Sequence, residues 1–296
     1  MWTRVSPDYL VIFHNHNSNT AKTQPNKPAP LQRKSFSMNL STPDIHFEMR
    51  DNIAVIRLTR PTKRNALNDG LVASIRKIFE NMPEHAGAAV IYGDGEHFCA
   101  GLDLSEIKER DAGQGMHHSR SWHAALERLQ YGPVPVVAAL HGAVVGGGLE
   151  LASACHIRVA DESTFYALPE GSRGIFVGGG GSVRIPRLIG VARMTDMMLT
   201  GRVYNAVDGE RIGLAQYLVP TGSAFDKALE LAQRIATNAP LTNYALMHAL
   251  PRIAEQPSDQ GFLTEALMSS IAQSAPEAKQ RVRDFLEGRA GKVQKS

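Results

Sequence analysis

The stretch His141-Gly-Ala-Val-Val-Gly-Gly-Gly-Leu-Glu150 sets three consecutive glycines beside a carboxylate, where an apolar strand gives way to a helical pattern. Glycine lets backbone N–H groups approach a ligand oxygen with no side chain in the way. A helix start adds unpaired N–H donors and the positive end of the helix dipole. Glu150, on the first turn, would then stand beside an oxyanion-binding site. A second glycine-bearing run, His97-Phe-Cys-Ala-Gly-Leu-Asp-Leu104, lies upstream and can supply another donor. Glu170, in Tyr166-Ala-Leu-Pro-Glu-Gly171, adds a second carboxylate. Two amide donors with two carboxylates suit enolate chemistry.

Outward from this junction the chain reads as α/β. Val134–Leu140 is a strand feeding the glycines, and Ile53–Leu58, Ala88–Tyr92 and His156–Ala160 are further strands. Leu71, Val72, Ile75, Ile78, Phe79 and Met82 mark one face of a helix, with Asn68 or Asp69 as its cap. Residues 105–118 are charged and glycine-containing and are expected to form a mobile flap over a pocket. Trp122, Leu126 and Leu129 continue at helical spacing, and from about Ala224 the chain is mainly helical. Alternating strands and helices give an α/β core without specifying its winding. Three segments are expected: a disordered N-terminal extension (1–43), a core (44–223) and a C-terminal helical region (224–296). The extension is rich in Asn, Thr, Ser, Pro and Lys and lacks periodicity. Met38 begins a more ordinary N-terminus, and the basic, acid-poor composition before it also fits a transit peptide.

Composition narrows the function classes. The 296 residues are 43% hydrophobic and 21% charged, ordinary for a globular protein, and the net charge is +3. The excess is local: residues 1–43 hold Arg4, Lys22, Lys27, Arg33 and Lys34 against Asp8 alone. The pI of about 8.9 therefore argues poorly for nucleic-acid binding. Two cysteines, Cys99 and Cys155, form no disulfide framework and suit a reducing compartment, so a cytoplasmic location is expected. No CxxC motif occurs, and no metal is expected; His117, His118 and His123, with Arg120 among them, read as a solvated, flexible segment. Tyr9–Phe13 is too short for a signal-peptide core. Residues 134–155 carry few charges, but Pro135, His141, Glu150 and the glycines fit a buried strand and turn, so no membrane span is expected.

Four motifs in order, Arg60-Pro-Thr-Lys-Arg-Asn-Ala-Leu67, CAGLDL, GGGLELA and LPEG, resemble the crotonase, or enoyl-CoA hydratase/isomerase, superfamily from about Asp44 to the C-terminus. LPEGSRGIFVGGG and MHHSRSWH resemble its methylthioacryloyl-CoA hydratase branch. The resemblance implies a spiral of ββα turns, followed by helices that pack on trimer neighbours, with trimers pairing into hexamers. It implies hydration of an enoyl-CoA thioester, with coenzyme A entering as part of the substrate and no other cofactor. The implied oxyanion donors are the amides of Ala100 and Gly147. Glu150 would orient a water and take its proton, and Glu170 would deliver a proton to Cα. Two carboxylates at close range cannot both ionise cheaply, so one pKa should rise. Gly178 resembles a third backbone position near the water, although Val177 stands where the family commonly has proline. Lys63 and Arg64 match the segment approaching coenzyme A, with Ala66 and the backbone of Gly101, Leu102 and Asp103 lining the same groove. Leu104, Trp122 and Tyr131 are candidates to face the acyl tail.

Each assignment has a plainer rival. The glycines could serve tight helix–strand packing alone. Glu150 could be an exposed helix-start acid and Glu170 a turn residue. Lys63 and Arg64 could be a solvated turn, Trp122 core, and Cys99 a packing thiol. Among activities, thioester hydrolysis is the nearest rival, and isomerisation would need only one base. Some superfamily members bind RNA through a lysine-rich helix; here residues 71–82 offer only Arg76 and Lys77.

Overall fold

In the computed structural model, which describes residues 40–106 and 109–289, the apolar segment before the glycines is a central strand. The described residues form nine strands: β1 (Ile45–Arg50), β2 (Ile53–Leu58), β3 (Ala88–Gly93), β4 (Val136–Leu140), β5 (Ala143–Val145), β6 (Ile157–Asp161), β7 (Phe165–Ala167), β8 (Tyr204–Asn205) and β9 (Tyr217–Val219). β1 and β2 pair antiparallel around Asp51, whose φ of 54° suits a short polar turn residue. From β2 the large sheet is parallel, in the order β1-β2-β3-β4-β6-β9. β5, β7 and β8 form a second, three-stranded sheet.

The helices are α1 (Asp69–Glu80), α2 (Ala112–Gln130), α3 (Gly147–Ala154), α4 (Gly181–Ile189), α5 (Val191–Thr200), α6 (Ala206–Ile212), α7 (Ala224–Ala236), α8 (Pro240–Tyr244), α9 (Leu250–Ile253), α10 (Ser258–Ser274) and α11 (Pro276–Leu286). Parallel strands covered on both faces read as continuous apolar runs, and β4 is buried at every residue. Alternation still sorts the faces. Ala54, Ile56, Leu58, Ala89, Ile91, Ala138 and Leu140 point into the core shared with α1, α2 and α3. Ile53, Val55, Val90, Val137 and Val159 point the other way, onto Ala224, Ala228, Leu231 and Ala232 of α7. Helix α7 thus lies on the sheet, although the sequence reading places it at the start of the C-terminal helical region.

The apolar stripe of α1 is buried as its spacing predicts, and its cap is Asn68, whose side chain accepts the Leu71 amide at 2.7 Å. The expected flap at 105–118 takes a different form. From Ala112 it is the opening of α2, started by a reciprocal capping box between Asp111 and Gln114. His117, His118 and His123 therefore sit on an ordered helix, not in a flexible segment. The helix is held because Trp122, Ala125, Leu126 and Leu129 bury against the core. The expected disordered extension lies outside the described residues, apart from residues 40–43.

Candidate active site

The glycine run does two separate jobs. Gly146, the residue before α3, has φ 52° and ψ −121°, a conformation reserved to glycine. A Cβ there would stand 2.7 Å from Glu170 Oε1. A Cβ on Gly148 would stand 2.2 Å from the Cys99 carbonyl oxygen. The bare Gly146 makes room for Glu170, and the bare Gly148 lets the two glycine-bearing runs lie against each other, with Cys99 N donating to Ala143 O at 3.0 Å and Val145 N to Cys99 O at 3.1 Å. Gly147 is different: a Cβ there meets only ordinary contacts at 3.6 Å, one of them Leu102 N.

That neighbour corrects an expectation. The Ala100 amide donates to Arg64 O at 2.9 Å and is engaged within the fold. Leu67 pairs with Leu102 through Leu67 N to Gly101 O at 2.7 Å and Asp103 N to Leu67 O at 2.8 Å. In extended backbone successive amides face opposite sides, so the Leu102 N–H turns away from Leu67 and toward Gly147. Among the described residues, neither Leu102 N nor Gly147 N meets an acceptor. The two open donors are therefore Leu102 and Gly147, not Ala100 and Gly147.

Glu150 is only 4% exposed, so it is no solvated helix-start acid. Its Oε1 accepts the amides of Gly179 and Gly181, each at 2.8 Å, which leaves Oε2 for the cavity that Glu150 lines. Burial raises its pKa, opposed by the Gly181 and Gly179 amides and by the charges of Arg184 and His123. Glu170 is 7% exposed, and its Oε2 is buried with no hydrogen-bond partner among the described residues. Burial raises its pKa too, and the charge of Glu150 adds to the rise. The expected like-charge effect is present, but desolvation is the larger cause at both residues.

Both carboxylates and both open amides line one cavity of about 460 Å³. Its apolar wall is Leu102, Leu104, Trp122, Ile175, Phe176 and Val177; Arg110, His118, Ser119 and Arg173 add polar groups. Trp122 is fixed by Nε1 donating to Asp69 Oδ1 at 2.9 Å, and His118 Nε2 lies 2.7 Å from the same oxygen. Gly178 lines the cavity, and its carbonyl accepts the Ser119 hydroxyl at 2.6 Å. Gly179, Gly181, Asp69, His118 and Ser119 were not singled out from the sequence as site residues. The run of four glycines after Val177 was the available signal for the first two.

The remaining expected residues divide. Asp103 is buried and braces its loop: Ser105 Oγ donates to it at 2.6 Å and Arg60 Nη2 at 2.7 Å. These bonds, that from Ser105 first, hold its carboxyl down at about 2 against the cost of burial. Ala66 is buried, and its carbonyl accepts Arg60 Nη1. Lys63 and Arg64 are exposed on a turn outside the cavity wall, where Lys63 Nζ reaches Ser105 Oγ at 3.1 Å. Leu104 stands at the cavity, half exposed. Tyr131 does not line it; its ring lies beneath the Arg252 guanidinium at 4.5 Å and beside His248. Cys99 is fully buried, its thiol pushed up to about 12 by desolvation, as suits packing. Among the described residues no group of three or more His, Cys, Asp or Glu could hold a metal ion. No helix among them is long and apolar enough to cross a membrane.

Known proteins share this arrangement of chain. The family pattern described as enoyl-CoA hydratase/isomerase matches residues 48–295. A crystal structure from Rhodopseudomonas palustris CGA009, of a protein named only provisionally as an enoyl-CoA hydratase, is 59% identical, with a TM-score of 0.81 over 83% of this chain and 95% of that one. The Bacillus anthracis enoyl-CoA hydratase structure is 30% identical, with a TM-score of 0.78 over 84% of this chain and 98% of its own. The Mycobacterium tuberculosis enoyl-CoA hydratase EchA19 is 29% identical across 86% of this chain and 97% of its own length. With its parallel sheet, small second sheet and C-terminal helices, the chain has the crotonase fold and belongs to the enoyl-CoA hydratase/isomerase family.

Proposed function

We propose that this chain is an enoyl-CoA hydratase, a hydro-lyase that adds water across the α,β double bond of an acyl-CoA thioester. One observation carries the reading: two raised-pKa carboxylates and two amides that meet no acceptor among the described residues line a single cavity. The thioester oxygen sits between the Leu102 and Gly147 N–H groups, which stabilise it as charge develops. Water lies between the glutamates. Glu150 Oε2 takes one proton as the water oxygen bonds to Cβ; the π electrons move to the thioester oxygen. Glu170, kept protonated by its buried site, gives its proton to Cα as the enolate collapses. The proton on Glu150 then returns to Glu170 through solvent, so one water is added and both carboxyls are restored.

Methylthioacryloyl-CoA is the substrate we favour, on the likeness of LPEGSRGIFVGGG and MHHSRSWH to that branch. Hydration at its Cβ gives a hemithioacetal that breaks down further. Attack of the same water on the thioester carbonyl would make the chain a hydrolase, the second reading. The exposed Phe262, Leu263, Leu267, Phe285 and Leu286 on α10 and α11 favour assembly as a trimer or hexamer. A nucleic-acid role is disfavoured: Arg76 on α1 is paired with Glu80 at 2.8 Å.

The test incubates the purified protein with crotonyl-CoA and with methylthioacryloyl-CoA. Loss of enoyl-thioester absorbance and release of CoA thiol are followed separately, beside Glu150→Gln and Glu170→Gln. Absorbance loss without thiol release establishes a hydratase. Thiol release from the methylthio compound alone, lost in both variants, supports the narrower substrate. Thiol release from both compounds with no hydrated intermediate turns the assignment to a hydrolase.

A further inference from the structure

The segment Met116–His123 contributes more than a wall. Ser119, on α2, has one hydroxyl proton, and it goes to the Gly178 carbonyl at 2.6 Å. The same peptide unit presents the Gly179 N–H to Glu150 Oε1 at 2.8 Å. Behind the serine stands His123 Nε2, 3.3 Å from Ser119 Oγ. A carbonyl only accepts, so the serine proton is committed forward and the serine oxygen must accept from the imidazole. The hydrogen bonds then run one way: His123 Nε2–H to Ser119 Oγ–H to Gly178 C=O, across the peptide, and Gly179 N–H to Glu150 Oε1.

We infer that Ser119, backed by His123, is a positioning residue that orients and polarises the Gly178–Gly179 peptide so that its N–H holds Glu150 as the ionised base. The inference rests on the reading of Glu150 as that base. Hydrogen bonds aligned in series polarise one another, by about 10–30% per bond. A bond to an ionised acceptor is stronger than one to a neutral acceptor. The relay therefore favours the ionised form of Glu150, in opposition to burial. It also fixes geometry. The peptide is gripped on its oxygen side by Ser119 and on its nitrogen side by Glu150, and the next carbonyl, that of Gly179, accepts Arg184 Nη1 at 3.0 Å. Without the serine hydroxyl one of these three restraints is lost in a stretch of four glycines, the most permissive backbone available. Three other charged or titratable groups act on Glu150, namely Arg184 from α4, His123 from α2 and Glu170 from the turn after β7. A substitution at Ser119 leaves Arg184 and Glu170 in place, while His123 loses its bond to the hydroxyl in Ser119→Ala and keeps it in Ser119→Thr.

The experiment titrates Glu150 directly, by the infrared band of its protonated carboxyl, identified by its disappearance in Glu150→Gln. Wild type, Ser119→Ala and Ser119→Thr are compared, with kcat and KM on an enoyl-CoA measured beside them. The expected result for Ser119→Ala is a Glu150 midpoint raised by about half a pH unit. Its kcat should fall roughly three- to tenfold with little change in KM. Ser119→Thr, which keeps the hydroxyl, should restore both. An unmoved midpoint in Ser119→Ala overturns the inference. So does a loss of kcat that threonine fails to rescue, which would mark a packing role only. The carboxyl titration needs no turnover, so it decides the relay even if no substrate reacts. An active Glu150→Gln would instead count against Glu150 as the base, a separate failure.

Discussion

Gly181 touches Glu150 twice over: its amide donates to Glu150 Oε1 at 2.8 Å, and a methyl group at position 181 would stand 2.8 Å from Glu150 Cγ. The hydrogen bond and the missing Cβ are two sides of one fit. Gly181→Ala must therefore displace the carboxylate, even though alanine is the better helix former at the start of α4. We expect kcat to fall by about 10²-fold, as for a misplaced catalytic group. Thermal unfolding should move little. Wild-type kcat in this variant would show that Glu150 need not sit where Gly181 holds it.

The activity profile should be bell-shaped in pH. In the proposed mechanism Glu150 works ionised, so the acid limb should fall as pH drops through its raised pKa; Glu170 works protonated there, so the basic limb should fall as pH climbs through its own. Glu150→Gln should abolish the acid limb along with roughly 10²–10⁴ of the rate. Rate profiles of wild type and both glutamine variants check this.

Stability should run against activity at Glu170. Its folded pKa is raised, so its contribution is fully present below the unfolded value and is lost as pH rises through the folded one. At pH 8 Glu170→Gln should therefore melt above wild type, by about 1–3 °C for a chain of this size. The gap should close as pH falls toward the unfolded value. Melting curves across that range decide it, and a variant that melts lower at every pH would sink the argument.

Asp103 behaves in the opposite sense. Its depressed pKa means stability that is present above the unfolded value of 3.8 and lost as pH falls toward about 2. Asp103→Asn should cost about 1–3 kcal/mol at neutral pH, because it weakens a buried ion pair with Arg60. It should also lower kcat, since the loop it braces carries the Leu102 amide that acts on the developing charge. Denaturant unfolding and steady-state kinetics measure the two effects separately.

Neighbouring glycines should answer alanine differently. Gly148→Ala forces a Cβ to 2.2 Å from the Cys99 carbonyl and should leave little folded protein. Gly147→Ala meets nothing closer than 3.6 Å among the described residues and should fold, yet its methyl would take up space beside the Leu102 amide that the proposed thioester oxygen needs and should slow turnover. Circular dichroism with a turnover assay separates the two. A third readout is the amide chemical shifts of protein labelled at leucine, glycine and alanine. On binding a saturated acyl-CoA, Leu102 and Gly147 should move, and Ala100 should not.

What could be read from the chain was what is local. The stripe of α1, its Asn68 cap and the glycine–carboxylate junction at Gly146–Glu150 depend on residues within one or two turns, and periodicity carries them. Ala100 in place of Leu102 is a shift of two residues, which strand alternation alone cannot reveal. Which amide faces the cavity is decided by pairing with Leu67, and no pattern within CAGLDL records that partner. The amides that hold Glu150 come from 29 and 31 residues downstream. The order of α2 was missed because its charged, glycine-containing start looks like a loop until the Asp111–Gln114 box and the burial of Trp122 are counted together.

Helix α7 has a consequence for the order of synthesis. The apolar residues of the sheet's outer face, Ile53, Val55, Val90, Val137 and Val159, are all synthesised well before residues 224–236 leave the ribosome to cover them. A nascent chain stopped at residue 223 would present that valine-rich surface to solvent, a state prone to aggregation. The boundary at which the chain turns helical is therefore a poor place to shorten it. The last element to cover the sheet during translation is also the one without which the strands carrying the site have only one dry face.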